Sequence, residues 1–341
     1  MTAVPRVRWW THLLRQPPLS QTETRCVIAV TVGGVCLAAL PGWLSPYALA
    51  TVRDALVLAI LALSLDFLWG RAHVLSLGHA TFFGLGAYGM AIATTRWSWG
   101  SEGALALGIG AAALVAWVVG YFLIFAGVRL HFFAIITIAL SLIVGQIAVS
   151  WSSLTGGDVG ILGVPGLRFD IAGLTLDLGS KHANYYACLI AALAVLGALW
   201  LACRAPYGKI LHGIGTNEFR AQTLGHDSSL HLLLVFVVSA AIAGFAGALF
   251  AASSGVVAPD LFSMVLSTEI IVWVAVGGRG TLLGPVIATL LLTRLQLEIS
   301  SLSTSLWPLI LGSIFVLLVI FLPDGLPAVA RMLRRGAPAR R

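Results

Sequence analysis

Charge is what this sequence has least of. Lys, Arg, Asp and Glu together make up 10% of the 341 residues, while 59% are hydrophobic. An average soluble chain carries about 25% charged residues. At a mean hydropathy of +0.98, a soluble globule would expose apolar surface that water does not tolerate. A cytosolic enzyme, a secreted domain and a disordered chain are thereby excluded. Cysteine is scarce as well. The four residues Cys26, Cys36, Cys188 and Cys203 lie within or at the ends of apolar runs and form no CxxC pair. They read as small packing residues rather than a disulfide or metal set. There is no GxxxxGK[ST], so the chain carries no P-loop ATPase of its own, and no HExxH, GxSxG or EF-hand loop. The eight histidines are scattered without ligand spacing. No cofactor or metal is therefore expected on this chain, and a membrane-embedded enzyme is disfavoured. One formal GxGxxG occurs at Gly84, Gly86 and Gly89. It lies inside an apolar run rather than between a strand and a helix, and reads as small residues that let helices approach closely.

What is abundant is apolar sequence in long runs. Ten segments can be marked, at about 27–44, 48–69, 74–95, 103–126, 131–151, 184–203, 231–252, 262–277, 282–297 and 306–322. A membrane-crossing helix needs about 20 residues, and backbone groups in lipid must be satisfied within the segment. The expectation is an all-α, polytopic integral membrane protein with about ten transmembrane helices. Basic residues set the orientation. With both termini cytoplasmic, fifteen of the twenty Lys and Arg residues fall inside, including Arg71, Arg129, Arg204, Lys209, Arg220, Arg279 and the five from Arg331 to Arg341. Only Arg96, Arg168 and Lys181 fall outside. The expected organisation is a cytoplasmic segment 1–25, a transmembrane domain 26–326 and a basic cytoplasmic tail 327–341. Two loops exceed simple connectors: an external one at 152–183 and a polar internal one at 204–230. Loops of more than about 12–15 residues are usually functional or disordered. Intramembrane charge is sparse. Glu269 is the acidic residue least easily dismissed, whereas Arg294 and Glu298 are spaced to pair on one helix face.

The residues Leu75-Ser-Leu-Gly-His-Ala-Thr-Phe-Phe-Gly-Leu-Gly-Ala-Tyr88 resemble the hallmark segment of the branched-chain amino acid ABC transporter permeases. Further similar stretches follow in order: Phe132–Leu140, Leu154–Pro165, Gly213–Asp227, Gly277–Pro285 and Phe321–Leu326. The resemblance implies a multi-pass permease subunit in a bacterial inner membrane, not an enzyme. It implies pairing with a second, related permease, two cytoplasmic ATPases that bind the ATP and magnesium, and an extracytoplasmic solute-binding protein. No nucleic acid is implied. The 204–230 loop resembles the family's coupling loop, with Tyr207, Gly213, Asn217, Glu218, Arg220 and Ala221 as candidate contacts and Gly225 ending the helix. Glycine-rich, interrupted segments in the two halves point to a translocation path. Ser76, His79, Thr81 and Tyr88 could line it from one half, and Glu269, Trp273 and Thr281 from the other. The solute stays open at this level. The 154–165 stretch resembles the branched-chain amino acid branch, while Leu65–Gly70 and Trp273–Leu282 resemble the urea branch. Branched-chain amino acids are expected first, urea or short amides second, and an ion-coupled carrier acting alone remains a remoter alternative.

Overall fold

The computed structural model describes residues 21–128, 130–171, 174–302, 309–310 and 312–313. The expected span 306–322, the tail 327–341 and most of the segment 1–25 lie outside the described residues. Within them the chain is helical, in the order α1 (Gln21–Ala39), α2 (Pro46–Ala72), α3 (Ala80–Thr95), α4 (Ser101–Phe125), α5 (Leu130–Ser150), α6 (Ser152–Thr155), α7 (Lys181–Arg204), α8 (Pro206–Thr216), α9 (Glu218–Thr223), α10 (Ser228–Ser254), α11 (Met264–Gly277) and α12 (Leu283–Leu302). Six of these are long and apolar enough to cross a membrane, among them α2, α4, α7 and α10, and shorter apolar helices accompany them. This is a polytopic membrane protein.

The helix starts are written locally. Ser45 caps α2 by accepting from the Ala48 N–H at 3.3 Å, with Pro46 in the first turn. Ser180, Asp227 and Ser263 do the same for α7, α10 and α11, accepting at 3.2, 3.1 and 3.2 Å. Helices α2 and α10 are apolar on nearly every face and lie in the middle of the bundle. Close approach rests on glycine. A β-carbon at Gly86 would overlap the Gly244 backbone, one at Gly89 that of Gly108, and one at Gly247 the Phe83 carbonyl. The formal GxGxxG is thus a helix-packing seam joining α3 to α4 and α10.

The all-α expectation is departed from in two small places. Strand β1 (Ile161–Leu162) pairs antiparallel with β4 (Val256–Val257), while β2 (Arg168–Ile171) and β3 (Leu174–Asp177) form a hairpin. Positive-φ glycines at 156, 157, 160 and 163 give the long 152–183 loop its turns. The β1–β4 ladder ties that loop to the α10–α11 connection. Arg168 pairs with Asp177 at 3.2 Å across the hairpin, and the Gly179 N–H and Arg168 together hold the exposed Asp177 carboxyl below its ordinary range.

Candidate translocation path and coupling surface

One of the expected spans, 74–95, is broken, and another, 262–277, is short. The apolar run 74–95 becomes helix only from Ala80, and residues 73–79 are extended or turn backbone. Sixteen helical residues rise about 24 Å, short of a hydrocarbon core of about 30 Å. Yet Val74, Ser76 and His79 are buried, so the non-helical segment is packed inside protein, where irregular backbone is tolerated. Thr137 on α5 makes this possible. Its Oγ1 accepts from the N–H groups of Leu77 and Gly78 at 3.1 and 3.4 Å and donates to the Ala134 carbonyl at 2.9 Å. Gly78 is required, because a β-carbon there would overlap the Thr137 carbonyl. In the second half α11 has only 14 residues and is preceded by a 3-10 turn, Pro259–Phe262. Ser141 on α5 donates to the Phe262 carbonyl at 2.9 Å, and the Phe262 ring stacks on Tyr88 at 5.5 Å. Helix α5 therefore supports both segments through hydroxyls that are fully used.

Most of the candidate path residues lie in these segments. Ser64 Oγ lies 2.8 Å from His79 Nε2 and donates to the Leu61 carbonyl at 2.6 Å. A hydroxyl has one hydrogen, so the network assigns the proton to Nε2 of His79 and leaves Nδ1 bare. Ser239 on α10 donates to the Ser64 carbonyl at 2.6 Å. The bare His79 Nδ1, Ser76 Oγ, Thr81 Oγ1, Tyr88 Oη and Trp273 Nε1 are buried without a hydrogen-bond partner among the described residues, as is Ser267 Oγ on α11. Each such group costs about 1–3 kcal/mol, and a run of them calls for an explanation. Ser267 was missed by sequence reasoning; its signal is its position two residues before Glu269.

The remaining two candidates do something else. Glu269 Oε1 accepts from Gln296 Nε2 on α12 at 3.0 Å. Thr281 is exposed and builds the α11–α12 turn, donating to the Gly278 carbonyl at 2.7 Å and accepting from the Gly284 N–H at 3.2 Å. That turn is clamped by α2. Asp66, fully buried, accepts from the Gly280 N–H at 2.5 Å and the Leu282 N–H at 2.9 Å. Arg71 donates to the Gly280 carbonyl at 3.4 Å, and Arg279 lies over the Trp69 ring at 5.4 Å. The carboxylate at 66 is thus a backbone anchor, and the stretch 65–70 meets 277–282 in space. The pairs Arg53–Asp54 and Arg294–Glu298 close at 2.8 and 3.1 Å.

The 204–230 loop is a compact helical appendage. Asn217, extended at φ −155°, separates α8 from α9 and accepts from the Arg220 N–H at 2.9 Å. Gly225, at φ +86°, ends α9: its N–H donates to the Gln222 carbonyl at 2.9 Å and the His226 N–H to the Ala221 carbonyl at 3.2 Å, a Schellman closure. Ala221 is buried, Gly213 is exposed, and the Tyr207 ring lies 5.5 Å from that of His231. Glu218, exposed at the start of α9, accepts from Ser228 Oγ at 2.8 Å and Gln222 Nε2 at 3.4 Å. The outward face carries Arg220 with Phe219 and Leu224, which are 77% and 74% exposed. Those two apolar side chains were missed; the signal is large hydrophobics five apart in an otherwise polar loop.

Interrupted apolar helices around a buried polar seam, with a helical appendage at the basic end, define a polytopic transport protein. Residues 47–322 match the family described as "Branched-chain amino acid transport system / permease component", and the chain belongs to that family. It is 30% identical over 302 residues to the high-affinity branched-chain amino acid transport system permease protein LivM of Escherichia coli, spanning 81% of this chain and 69% of the relative. The LivM protein of Salmonella typhimurium gives the same figures. The autoinducer 2 import system permease protein LsrC of Photorhabdus laumondii is 26% identical over 140 residues, 39% of this chain and 41% of the relative. No solved structure matches significantly. The chain is a multi-pass permease component of a bacterial ABC transport system, a transport subunit whose ATPase resides on separate subunits.

Proposed function

We propose that the chain is one of two related permeases in an ATP-driven importer of branched-chain amino acids, that its solute passes along the seam between the broken span and the short one, and that α9 docks on an ATPase subunit. The exposed Phe219, Arg220 and Leu224 carry the coupling reading. A water-facing helix gains nothing from two exposed large hydrophobics, whereas a partner's cleft would bury them. Asn217, Glu218, Ala221 and Gly225 build and hold α9, with Tyr207 and Gly213 on the neighbouring α8. In the path, Ser76, His79, Thr81, Tyr88 and Trp273 present polar atoms that the protein leaves unanswered, a lining suited to a zwitterionic solute. Ten spans with both termini cytoplasmic, the 152–183 loop outside as the receiving face for a solute-binding protein, and the domain bounds 1–25, 26–326 and 327–341 complete the reading. The hydrogen bond from Gln296 to Glu269 speaks for a braced carboxylate rather than an ion-coupling one.

The test is the Phe219→Ala, Arg220→Ala double variant in the assembled transporter. It should insert and assemble, while solute-stimulated ATP hydrolysis falls by about tenfold or more. Undiminished stimulation would overturn the docking assignment. Titrating the co-purified binding protein with leucine and with urea decides the solute; binding of urea alone would move the transporter to that branch.

A further inference from the structure

A cavity of about 800 Å3 opens between α1, α7 and the turn that leads into α12, where Thr281, Leu282 and Leu283 line it. Its walls are apolar. Helix α1 contributes Val30, Gly34 and Val35, and α7 contributes Leu193, Leu196 and Gly197. The glycines keep the slot open, and a β-carbon at Gly197 would touch nothing within 4 Å. At its basic end the lining changes character: Arg71, Arg204 and Lys209 all face it, from α2, α7 and α8, and among the described residues no acidic side chain lines it. The Arg204 guanidinium sits over Trp200 at 4.7 Å, which fixes its position at the rim. Three cations at one end of a long apolar slot match one amphiphile: an anionic headgroup above acyl chains.

We propose that this slot is a binding site for an anionic phospholipid, with the headgroup phosphate held by Arg71, Arg204 and Lys209 and an acyl chain lying along α1 and α7 past Gly34 and Gly197. None of Ser76, His79, Thr81, Tyr88 and Trp273 lines the slot, so its test does not depend on the transport reading. Basic residues near a membrane surface contribute roughly fivefold each to anionic lipid binding.

The experiment is native mass spectrometry of the full chain, purified with its co-assembling subunits and exposed to graded phosphatidylglycerol or phosphatidylcholine. The wild type should retain phosphatidylglycerol in preference to phosphatidylcholine. The Arg204→Gln, Lys209→Gln pair should weaken that retention by about thirtyfold. Independently, Gly197→Phe should block it by filling the slot while leaving every cation in place. Equal retention of both lipids, or retention unchanged in both variants, would overturn the proposal. So would full competition by inorganic phosphate, which would make the site one for a free anion. Ready disulfide formation between Gly197→Cys and a cysteine placed within 306–322 would overturn it too, by seating the chain's own last apolar segment in the slot.

Discussion

Thr81 shows how a single residue reveals what the seam is for. Its Oγ1 is buried and hydrogen-bonded to no group among the described residues, so the hydroxyl costs the fold something and returns nothing to it. Replacing it with valine keeps the shape and removes that cost. Thr81→Val should therefore leave thermal stability unchanged or raise it by up to about 1 kcal/mol, while solute uptake falls; thermal denaturation beside transport in vesicles checks both. A drop in stability with transport intact would make Thr81 an ordinary packing residue. His73 carries a different expectation. Burial, with Arg279 and the His212 ring beside it, lowers its pKa from the ordinary 6.5, the Arg71 carbonyl opposing. A depressed histidine binds its proton more readily when released, so stability rises with pH just below 6.5 and is lost as pH falls through that value. His73 is packed against Gly215 of α8. Protection of the α8 amides, with exchange normalised to the intrinsic rate at each pH, should accordingly fall as pH drops from 7.5 to 5.5, and His73→Asn should flatten that dependence.

Among the elements, the longest spans were legible, and glycine marked the interrupted segments without showing where the helix stops. Long apolar runs near Pro46–Ala72 and Ser228–Ser254 needed only length and hydropathy, and capping residues sharpened their starts. Hydropathy counts side chains, however, and the unwinding at residues 73–79 is a backbone event made possible by Thr137, some 60 positions away. The same dependence on other elements hid the hydrogen bond that Glu218 accepts from Ser228, which belongs to the next helix. Glycines separate the two kinds of element surface. Gly247 meets the Phe83 carbonyl where α10 crosses α3, while Gly110 on α4 has nothing within 4 Å of a β-carbon. Gly247→Ala should cost about 1–3 kcal/mol through forced separation of the helices, and Gly110→Ala should gain up to about 1 kcal/mol of helix propensity. Equal effects in thermal unfolding would mean that the α3–α10 seam can slide apart without penalty.

For the molecule as a whole, orientation follows from the unequal distribution of charge. Arg71, Arg204, Lys209 and Arg279 come from three separate stretches of chain, yet Arg71 and Arg279 flank the Asp66 clamp, while Arg71, Arg204 and Lys209 line one cavity. The opposite end carries the β1–β4 ladder and the β2–β3 hairpin. Basic clusters are retained on the cytoplasmic side, so the hairpin end should face outward. Thr155 would be a poor reporter of that face, because it is buried and its hydroxyl donates to the Ala148 carbonyl at 2.6 Å. Asp158, exposed on the same loop, is the better position. In intact cells Asp158→Cys should react with an impermeant thiol reagent, and Thr216→Cys, exposed at the end of α8, should react only after the membrane is opened. The reverse pattern would turn the protein over in the membrane, place α9 on the side without ATP, and remove the physical basis for coupling at Phe219 and Arg220.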